Sequence, residues 1–385
     1  MPFCIDFRRF FSNALGMENP ARPGNPPPPP TLPAVVTDQP QPAPVDLSIL
    51  SPRSIKNKLE SFQNGREMCR FVFRQPDDVF KSVTIEPTSL KLDVSHEIHI
   101  NLIWKEDVSC EFVLKNLWDM TEQEKQSVKQ HILKLQEHRT IMIDAPRPNI
   151  INCHTHMPLN SLRTFMDFLQ HRFPKQGYEE VAINSDLIRT PVWSDYLEKI
   201  PRDKAKILRV TGEHKVSIKE LAVLVQFFNC EEVTVRNELV GEPESFEAVR
   251  VQRISICNAT SLTLEHFQKI SAPEVIAYQT NINTEQIIGL IDFWANNADS
   301  KLKFIILTTK DAAEWEWDKV VKTFHAQNWD PKDRAKDYCL GKSQTSTPLD
   351  CSQGFDIRKK DLIATMVFKE SFFAFVVWHK RFPEE

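Results

Sequence analysis

The residues best suited to chemistry are two histidines separated by one residue, in the segment Cys153-His154-Thr155-His156. In an extended segment alternate side chains point to the same side, so His154 and His156 could both reach one metal ion. Imidazole nitrogen is a common zinc ligand, and a catalytic zinc keeps one position open for water. The spacing therefore raises the hypothesis of a metal-dependent hydrolase.

The histidine pair is similar to the metal-binding start of amidohydrolase barrels, and the short apolar pair Ile150-Ile151 precedes it here. Such a barrel needs about 250 residues and further ligands at other strand ends. No convincing strand end with Asp or Lys accompanies the later histidines, which are His171, His214, His266 and His325. We therefore expect a loop that enters a helix at Pro158, and the hydrolase that uses His154 and His156 stays as an alternative.

The surrounding chain repeats a short apolar strand followed by an amphipathic helix. The strand cores are residues 140–144, 178–183, 205–210, 230–235, 251–256, 273–278 and 302–307. Self-similarity at a period of roughly 20–30 residues predicts an irregular leucine-rich-repeat-like array, although an asparagine ladder is absent from the pattern. Stacking covers the apolar face that each unit leaves open, and the long connections predict a parallel sheet.

The flanking segments complete an α/β fold. Apolar and polar residues alternate in residues 81–118, which predicts an N-terminal antiparallel β region. Thr121 and Glu124 have the spacing of a capping box, so a helix is expected over residues 121–137. A further helix is predicted over residues 311–325. The pattern ends with a polar loop over residues 328–354 and a C-terminal β-hairpin made by residues 363–368 and 372–378.

Composition excludes several classes of function. The net charge is -4, from 48 basic and 52 acidic residues, which argues against nucleic acid as a partner. Only 9 residues are glycine, and nucleotide-binding loops need glycine where the backbone approaches phosphate. No apolar run is long enough for a membrane span, and none has the length of a signal-peptide core. Cysteines without C-x-x-C pairs fit a reducing, intracellular compartment, and no cofactor is expected.

Three segments together resemble the nematode F-box-associated protein family, closest to its type 2 group. The first runs from Ile254 to Thr308 and includes the Leu262-Thr263-Leu264 helix start. The second is the closing stretch Gly354-Phe355-Asp356-Ile357-Arg358, and the third is the β region from Lys81 to Leu114. The resemblance covers most of residues 80–380 and implies a protein-recognition array.

Members of this family open with an F-box, a short helical unit that docks on a Skp-type adaptor of a cullin-type ubiquitin ligase. The matching positions here are Leu50, Pro52, Ile55, Leu59 and Phe62. Ser51 separates the leucine from the proline, so the F-box is degenerate. The resemblance implies a non-enzymatic substrate-recognition subunit that raises the effective concentration of a substrate protein near the ligase. The alternative is a binding scaffold without ligase association.

The expected organisation follows from these patterns. It comprises a disordered N-terminus and proline-rich linker over residues 1–46, a degenerate F-box-like helical segment over 47–80, the β region over 81–118, the leucine-rich-repeat-like F-box-associated domain over 119–327, a loop over 328–354, and the C-terminal hairpin and tail over 355–385.

Overall fold

Strands dominate the computed structural model of this chain. It describes residues 57, 61–62 and 67–69, and then residues 87–382 with short gaps. The gaps are residues 96, 106–107, 124, 126–131, 137–138, 148, 174–176, 191–192, 298–299, 310–314, 341–347 and 370. All these parts belong to one unit, Ser51–Glu385. The predicted linker over residues 1–46 lies outside the described residues, as does most of the predicted F-box-like segment.

The strands in the described part form one sheet of 17 strands and a separate two-stranded sheet. The first strands are β1 (Ser89–Val94), β2 (Ile98–Lys105), β3 (Val108–Asn116), β4 (Ile132–Gln136), β5 (Arg139–Arg147) and β6 (Ile150–Thr155). The central strands are β7 (Tyr178–Asn184), β8 (Ala205–Thr211), β9 (Val216–Ser217), β10 (Glu232–Val240), β11 (Arg253–Asn258), β12 (Glu274–Thr280) and β13 (Phe304–Thr309). The last are β14 (Gln327–Asn328), β15 (Asp337–Tyr338), β16 (Leu349–Asp350), β17 (Phe355–Lys359), β18 (Leu362–Lys369) and β19 (Phe372–Trp378).

Helices lie between the central strands. They are α1 (Pro158–Arg172), α2 (Ser185–Ile188), α3 (Trp193–Lys199), α4 (Ile218–Phe228), α5 (Leu264–Lys269), α6 (Thr284–Asn296) and α7 (Trp317–Thr323). Two 3-10 turns, Leu117–Asp119 and Pro243–Ala248, add to them. The start of α4 shows how local sequence sets these bounds. The Ser217 side chain accepts the Glu220 amide while Glu220 reaches back, so two helix-start amides find partners.

The sheet confirms the predicted α/β class and its parallel centre. Strand β1 pairs in parallel with β7, and the parallel pairing continues through β8, β10, β11, β12 and β13. The predicted N-terminal β region forms the antiparallel strands β1, β2 and β3. The first predicted repeat strand, residues 140–144, departs from the pattern because β5 pairs antiparallel with both β4 and β6.

Two local predictions near β5 are wrong. Residues 132–136, expected to end a helix, form strand β4 and pair with β5. The Ile132 and Leu135 spacing suits a helix, but pairing with a neighbouring strand overrides the local preference. The histidine segment is not a loop, since β6 runs through Thr155 and pairs with β3 before α1 begins at Pro158.

The two sides of the parallel sheet differ in chemistry because side chains alternate along each strand. One side, which we call the core face, carries a register-matched apolar row that is buried from β1 to β19. The row comprises Leu92, Val181, Leu208, Val233, Ile254, Val275, Ile305 and Phe375. Helices cover this face: Phe165 of α1 meets Phe112 with ring centroids 5.5 Å apart, and Trp294 of α6 meets Phe375 at 5.0 Å.

The C-terminal end extends the sheet with antiparallel strands. The predicted hairpin is confirmed, since β18 pairs with β19, and β17 adds a further strand beside β18. Strand β19 joins this unit to β13. The predicted loop over residues 328–354 instead contains β14, β15 and β16 and buries Arg334, Leu349 and Cys351. Arg334 can be buried in this polar segment because its guanidinium pairs with the Asp356 carboxylate at 2.9 Å, a contact that the local sequence pattern does not show.

Candidate protein-binding face

The side of the sheet opposite the core face is mostly polar from β1 to β11, and we call this surface the polar face. Strand alternation places its residues there, two positions apart along each strand. The register aligns Lys91 with Glu180 and Glu232 with Arg253 on neighbouring strands. The polar face carries Lys91, Asp93, His99, Glu111, Glu180, Arg209, Glu232, Thr234, Arg236, Ser255 and Cys257.

Glu180 is the centre of one charge cluster on the polar face. Its carboxylate lies 3.8 Å from Lys91 Nζ on β1 and 3.2 Å from Arg209 Nη2 on β8. The Glu180 side chain is 16% exposed, whereas the Lys91 side chain is 43% exposed. The Glu180 carboxylate therefore lies between two cations from the neighbouring strands.

His99 is the centre of a second cluster on β2 and β3. Its Nδ1 lies 2.9 Å from Glu111 and its Nε2 lies 3.7 Å from Glu97. Lys115 adds a cation 3.3 Å from Glu97. The polar face therefore offers alternating charges of both signs within reach of one another, which suits electrostatic recognition of another protein.

Two charged side chains on this face remain available for a partner. Asp93 and Arg236 are each partly exposed, and neither makes a hydrogen bond or ion pair within the described part of the chain. Partial burial raises the pKa of Asp93, and Glu180 and Glu111 raise it further, while His99 and Arg209 lower it. Burial likewise raises the pKa of the Cys257 thiol, against an opposing effect of the Arg236 and Arg209 charges.

A segment that we call the strap, residues 329–340 with 348–351, closes the polar side of the sheet beyond β11. Tyr338 packs on Phe304 of β13 with ring centroids 6.4 Å apart and on Trp378 of β19 at 5.0 Å. Arg253 Nη2 donates to the Leu340 carbonyl oxygen at 2.7 Å. The strap therefore limits the exposed polar face to the strands from β1 to β11.

A polar network at the carboxyl ends of β7, β8 and β10 fixes these strands to one another. The Asn237 side-chain amide nitrogen lies 3.1 Å from Ser185 Oγ and 2.8 Å from the carbonyl oxygens of Gly212 and His214, so its two hydrogens are shared among three acceptors. The sequence pattern has no asparagine ladder, and the role of Asn237 as a link between strands was not predicted. The signal was present, since Asn237 follows the buried pair Val233 and Val235 in the alternation of β10.

The same network contains a serine, a histidine and an aspartate without the arrangement of a catalytic triad. His214 Nδ1 lies 2.5 Å from Asp186 Oδ1. Ser185 Oγ donates weakly to the same oxygen at 3.4 Å rather than to the imidazole, and Ser185 is 1% exposed. A nucleophile must hydrogen-bond to its base, so this group positions strand ends instead. The Asp186 pKa is lowered, chiefly by its hydrogen bond to His214.

The proposed metal ligands do not share one environment. His154 is buried, whereas His156 is exposed and its ring lies 5.2 Å from that of Trp118. In the described part of the chain no group of three or more His, Cys, Asp or Glu residues could hold a metal ion. The hydrolase hypothesis stays a prediction, which metal analysis of the purified protein would test.

The predicted adaptor-binding residues Leu50, Pro52, Ile55 and Leu59 lie outside the described residues, and Phe62 is half-buried. Beside Phe62, the Ser61 amide donates to the Asn57 carbonyl oxygen at 3.2 Å, a spacing of one helical turn. No helix in the described part of the chain is long and apolar enough to cross a membrane.

Comparisons with known proteins find similarity over only part of the chain. The chain is 24% identical over 171 residues to Uncharacterized protein F59B2.8 from Caenorhabditis elegans, which covers 40% of this chain. It is 23% identical over 167 residues to Uncharacterized protein F59B2.9 from the same nematode. The chain spans 38% of the length of each relative. No protein-family profile and no solved structure matches the chain. The chain is thus similar to nematode proteins over part of its length.

Proposed function

We propose that this protein is a non-enzymatic protein-recognition module and serves as an F-box-type substrate-recognition subunit of a cullin-type ubiquitin ligase. The observation that carries the recognition part is the polar face. Helices pack on the core face, while the other side of the parallel sheet presents exposed charges of both signs. Extended sheet surfaces of stacked strand–helix units bind proteins.

The ligase part of the proposal rests on the resemblance to F-box-associated proteins and on Leu50, Pro52, Ile55, Leu59 and Phe62. Apolar side chains at helical spacing can bury against an apolar groove of an adaptor. The similarity to nematode proteins is compatible with this family, although the names of these relatives assign no activity. In this arrangement the polar face would hold the substrate while the adaptor segment supplies the ligase.

Co-purification of the full chain with a Skp-type adaptor tests the ligase part. We expect an equimolar complex that Leu59→Asp abolishes, because a buried carboxylate without a partner disrupts apolar docking. Val223→Asp is a matched control, since Val223 is an apolar residue on α4 that is 52% exposed. Absence of the wild-type complex, or equal loss in both variants, would remove the ligase assignment.

Ser51 favours a second candidate, a recognition scaffold that has lost adaptor binding. This residue interrupts the leucine–proline pair with which the F-box opens. The scaffold predicts no complex with the adaptor but an intact recognition surface. Deletion of Ser51 would restore adaptor binding if the interruption is the only defect, and a robust wild-type complex would rule this candidate out.

The recognition part has its own test, independent of the adaptor. Proteins captured by the wild-type chain are compared with those captured by the double variant Asp93→Lys and Arg236→Glu, which reverses both free charges of the polar face. We expect partners to be lost, because reversed charges repel a complementary surface. Lys219→Glu, at an exposed position of α4, is the control. Identical captured sets for all three proteins would exclude the polar face as the recognition surface.

A further inference from the structure

A groove lies at the edge of the array where the helices end and the next strands begin, away from the polar face. Its walls are the C-terminal ends of the 3-10 turn Pro243–Ala248, of α5 and of α6, and its floor is formed by residues that start β11, β12 and β13. Its volume is about 660 Å³. Grooves of roughly 300–1,000 Å³ match the size of small ligands or a few peptide side chains.

Polar and apolar residues both line the groove, and its apolar part lies between α5 and α6. Phe267, Leu290 and Trp294 line it with their buried side chains, and Phe293 stands at its mouth. Phe293 is 39% exposed. An exposed aromatic residue beside buried apolar residues is suited to pack against an apolar side chain of a partner.

The rim of the groove has an excess of positive charge. Arg250 and Lys301 are exposed and make no ion pair within the described residues. Lys269 is also on the rim, where it pairs with Glu247 at 2.9 Å, so this carboxylate is already neutralised. The two unpaired cations therefore set the charge that an incoming group meets.

The C-terminal end of α6 does not cancel this positive charge. Lys359 Nζ donates to the carbonyl oxygens of Trp294 at 2.5 Å and Asn297 at 2.6 Å, and it lies 4.8 Å from the Trp294 ring centroid. A helix C-terminus carries partial negative charge, which a cation offsets. Because Lys359 already occupies this end, Arg250 and Lys301 are left to face solvent and a ligand.

We propose that this groove binds a peptide segment of a partner protein in which a bulky apolar side chain is flanked by acidic residues. The apolar side chain enters between Phe267, Leu290 and Phe293, and the acidic side chains meet Arg250 and Lys301. Apolar burial supplies the affinity, and the rim charges select acidic over neutral or basic sequences.

Fluorescence anisotropy of the full chain with two labelled synthetic peptides tests this proposal. The acidic probe has the sequence Asp-Glu-Phe-Asp-Leu, and the amide probe Asn-Gln-Phe-Asn-Leu has nearly the same shape without charge. We expect the acidic probe to bind about tenfold more tightly, and added salt to reduce the difference. No binding of the acidic probe, or equal affinity for the two probes, would overturn the proposal.

Variants of groove residues then test whether the probes bind in the groove. The double variant Arg250→Glu and Lys301→Glu is expected to weaken the acidic probe about tenfold or more, and Phe293→Ala to weaken both probes. Lys219→Glu and Val223→Ala, on the exposed surface of α4, are the matched charge and apolar controls. Equal affinities in the groove variants and these controls would also overturn the proposal. Neither result depends on adaptor binding or on the polar face.

Discussion

Arg334 and Asp356 form a buried ion pair that ties the strap to the C-terminal strands. Arg334 Nε lies 3.0 Å from each Asp356 carboxylate oxygen, and Nη2 lies 2.9 Å from Oδ1. Arg334 is 0% exposed and Asp356 is 8% exposed. Thr365 Oγ1 donates to the same carboxylate at 2.7 Å and accepts from Trp378 Nε1 at 2.8 Å. Every member of this network is therefore fixed by another.

Arg334→Met is expected to destabilise the protein by about 3–5 kcal/mol, because it leaves the Asp356 carboxylate buried without its cation. Asp356→Leu should destabilise the protein by a similar amount, because it leaves the Arg334 guanidinium buried without its carboxylate. The double variant removes both charges and should recover much of either loss. Urea unfolding of the wild type and the three variants measures the coupling.

Arg358→Ala is the control for this cycle. Arg358 pairs with Asp333 on the surface, where its side chain is 49% exposed, so its loss should cost at most about 1 kcal/mol. If Arg334→Met cost no more than Arg358→Ala, the strap would not depend on the buried pair.

Much of the fold followed from the alternation and spacing of apolar residues. Val233 and Val235 mark a strand with one buried face, and the connections between such strands are long enough for parallel crossovers. The helix expected at Ile132 failed because pairing with β5 is a long-range effect that a local pattern does not contain. The strap was missed for the same reason, since Arg334 is 22 residues from its partner Asp356.

The polar face was only partly predictable. Strand alternation indicates which residues share a side, but it does not set the register between strands. The placement of Glu180 between Lys91 and Arg209 depends on that register. Charges on adjacent strands therefore look like ordinary solvated residues in the sequence, and only strand pairing turns them into a cluster.

Asn237→Ala is expected to lower the free energy of unfolding by about 2 kcal/mol. It would remove a buried amide that contacts the buried Ser185 hydroxyl and the carbonyl oxygens of Gly212 and His214. Asn281→Ala is the matched control because Asn281 is exposed and donates only to the Thr260 carbonyl oxygen. We expect its effect to stay within about 0.5 kcal/mol. Equal losses in chemical denaturation would show that Asn237 is not a special link.

Gly212→Ala and Gly241→Ala separate backbone strain from steric conflict. Both glycines have positive φ, +109° and +132°, which alanine adopts with strain. A Cβ at Gly212 would lie 2.5 Å from Ser185 Oγ, whereas the nearest atom to a Cβ at Gly241 is 3.5 Å away. We expect Gly212→Ala to be the more destabilising by about 1 kcal/mol or more. Equal thermal unfolding midpoints would contradict this.

Asp93→Asn and Glu238→Gln should shift the pH dependence of stability in opposite directions. The Asp93 pKa is raised above 3.8, first by partial burial, so the folded state holds its proton more tightly than the unfolded chain. Stability is therefore lost as pH rises from 3.8 through the folded pKa. Asp93→Asn should be more stable than the wild type at neutral pH, and the difference should disappear in acid.

Glu238 has the opposite sign because its pKa is lowered below 4.5, first by the Ser261 hydrogen bond and then by Lys215. Its ionised form is favoured in the folded state, so its contribution is present above pH 4.5 and is lost as pH falls through the folded pKa. Glu238→Gln should therefore destabilise the protein at neutral pH and become neutral in acid. Urea unfolding of both variants across this pH range checks the two signs. Parallel trends would show that the pKa of Asp93 is not raised in the folded state, because the raised pKa is what reverses the trend.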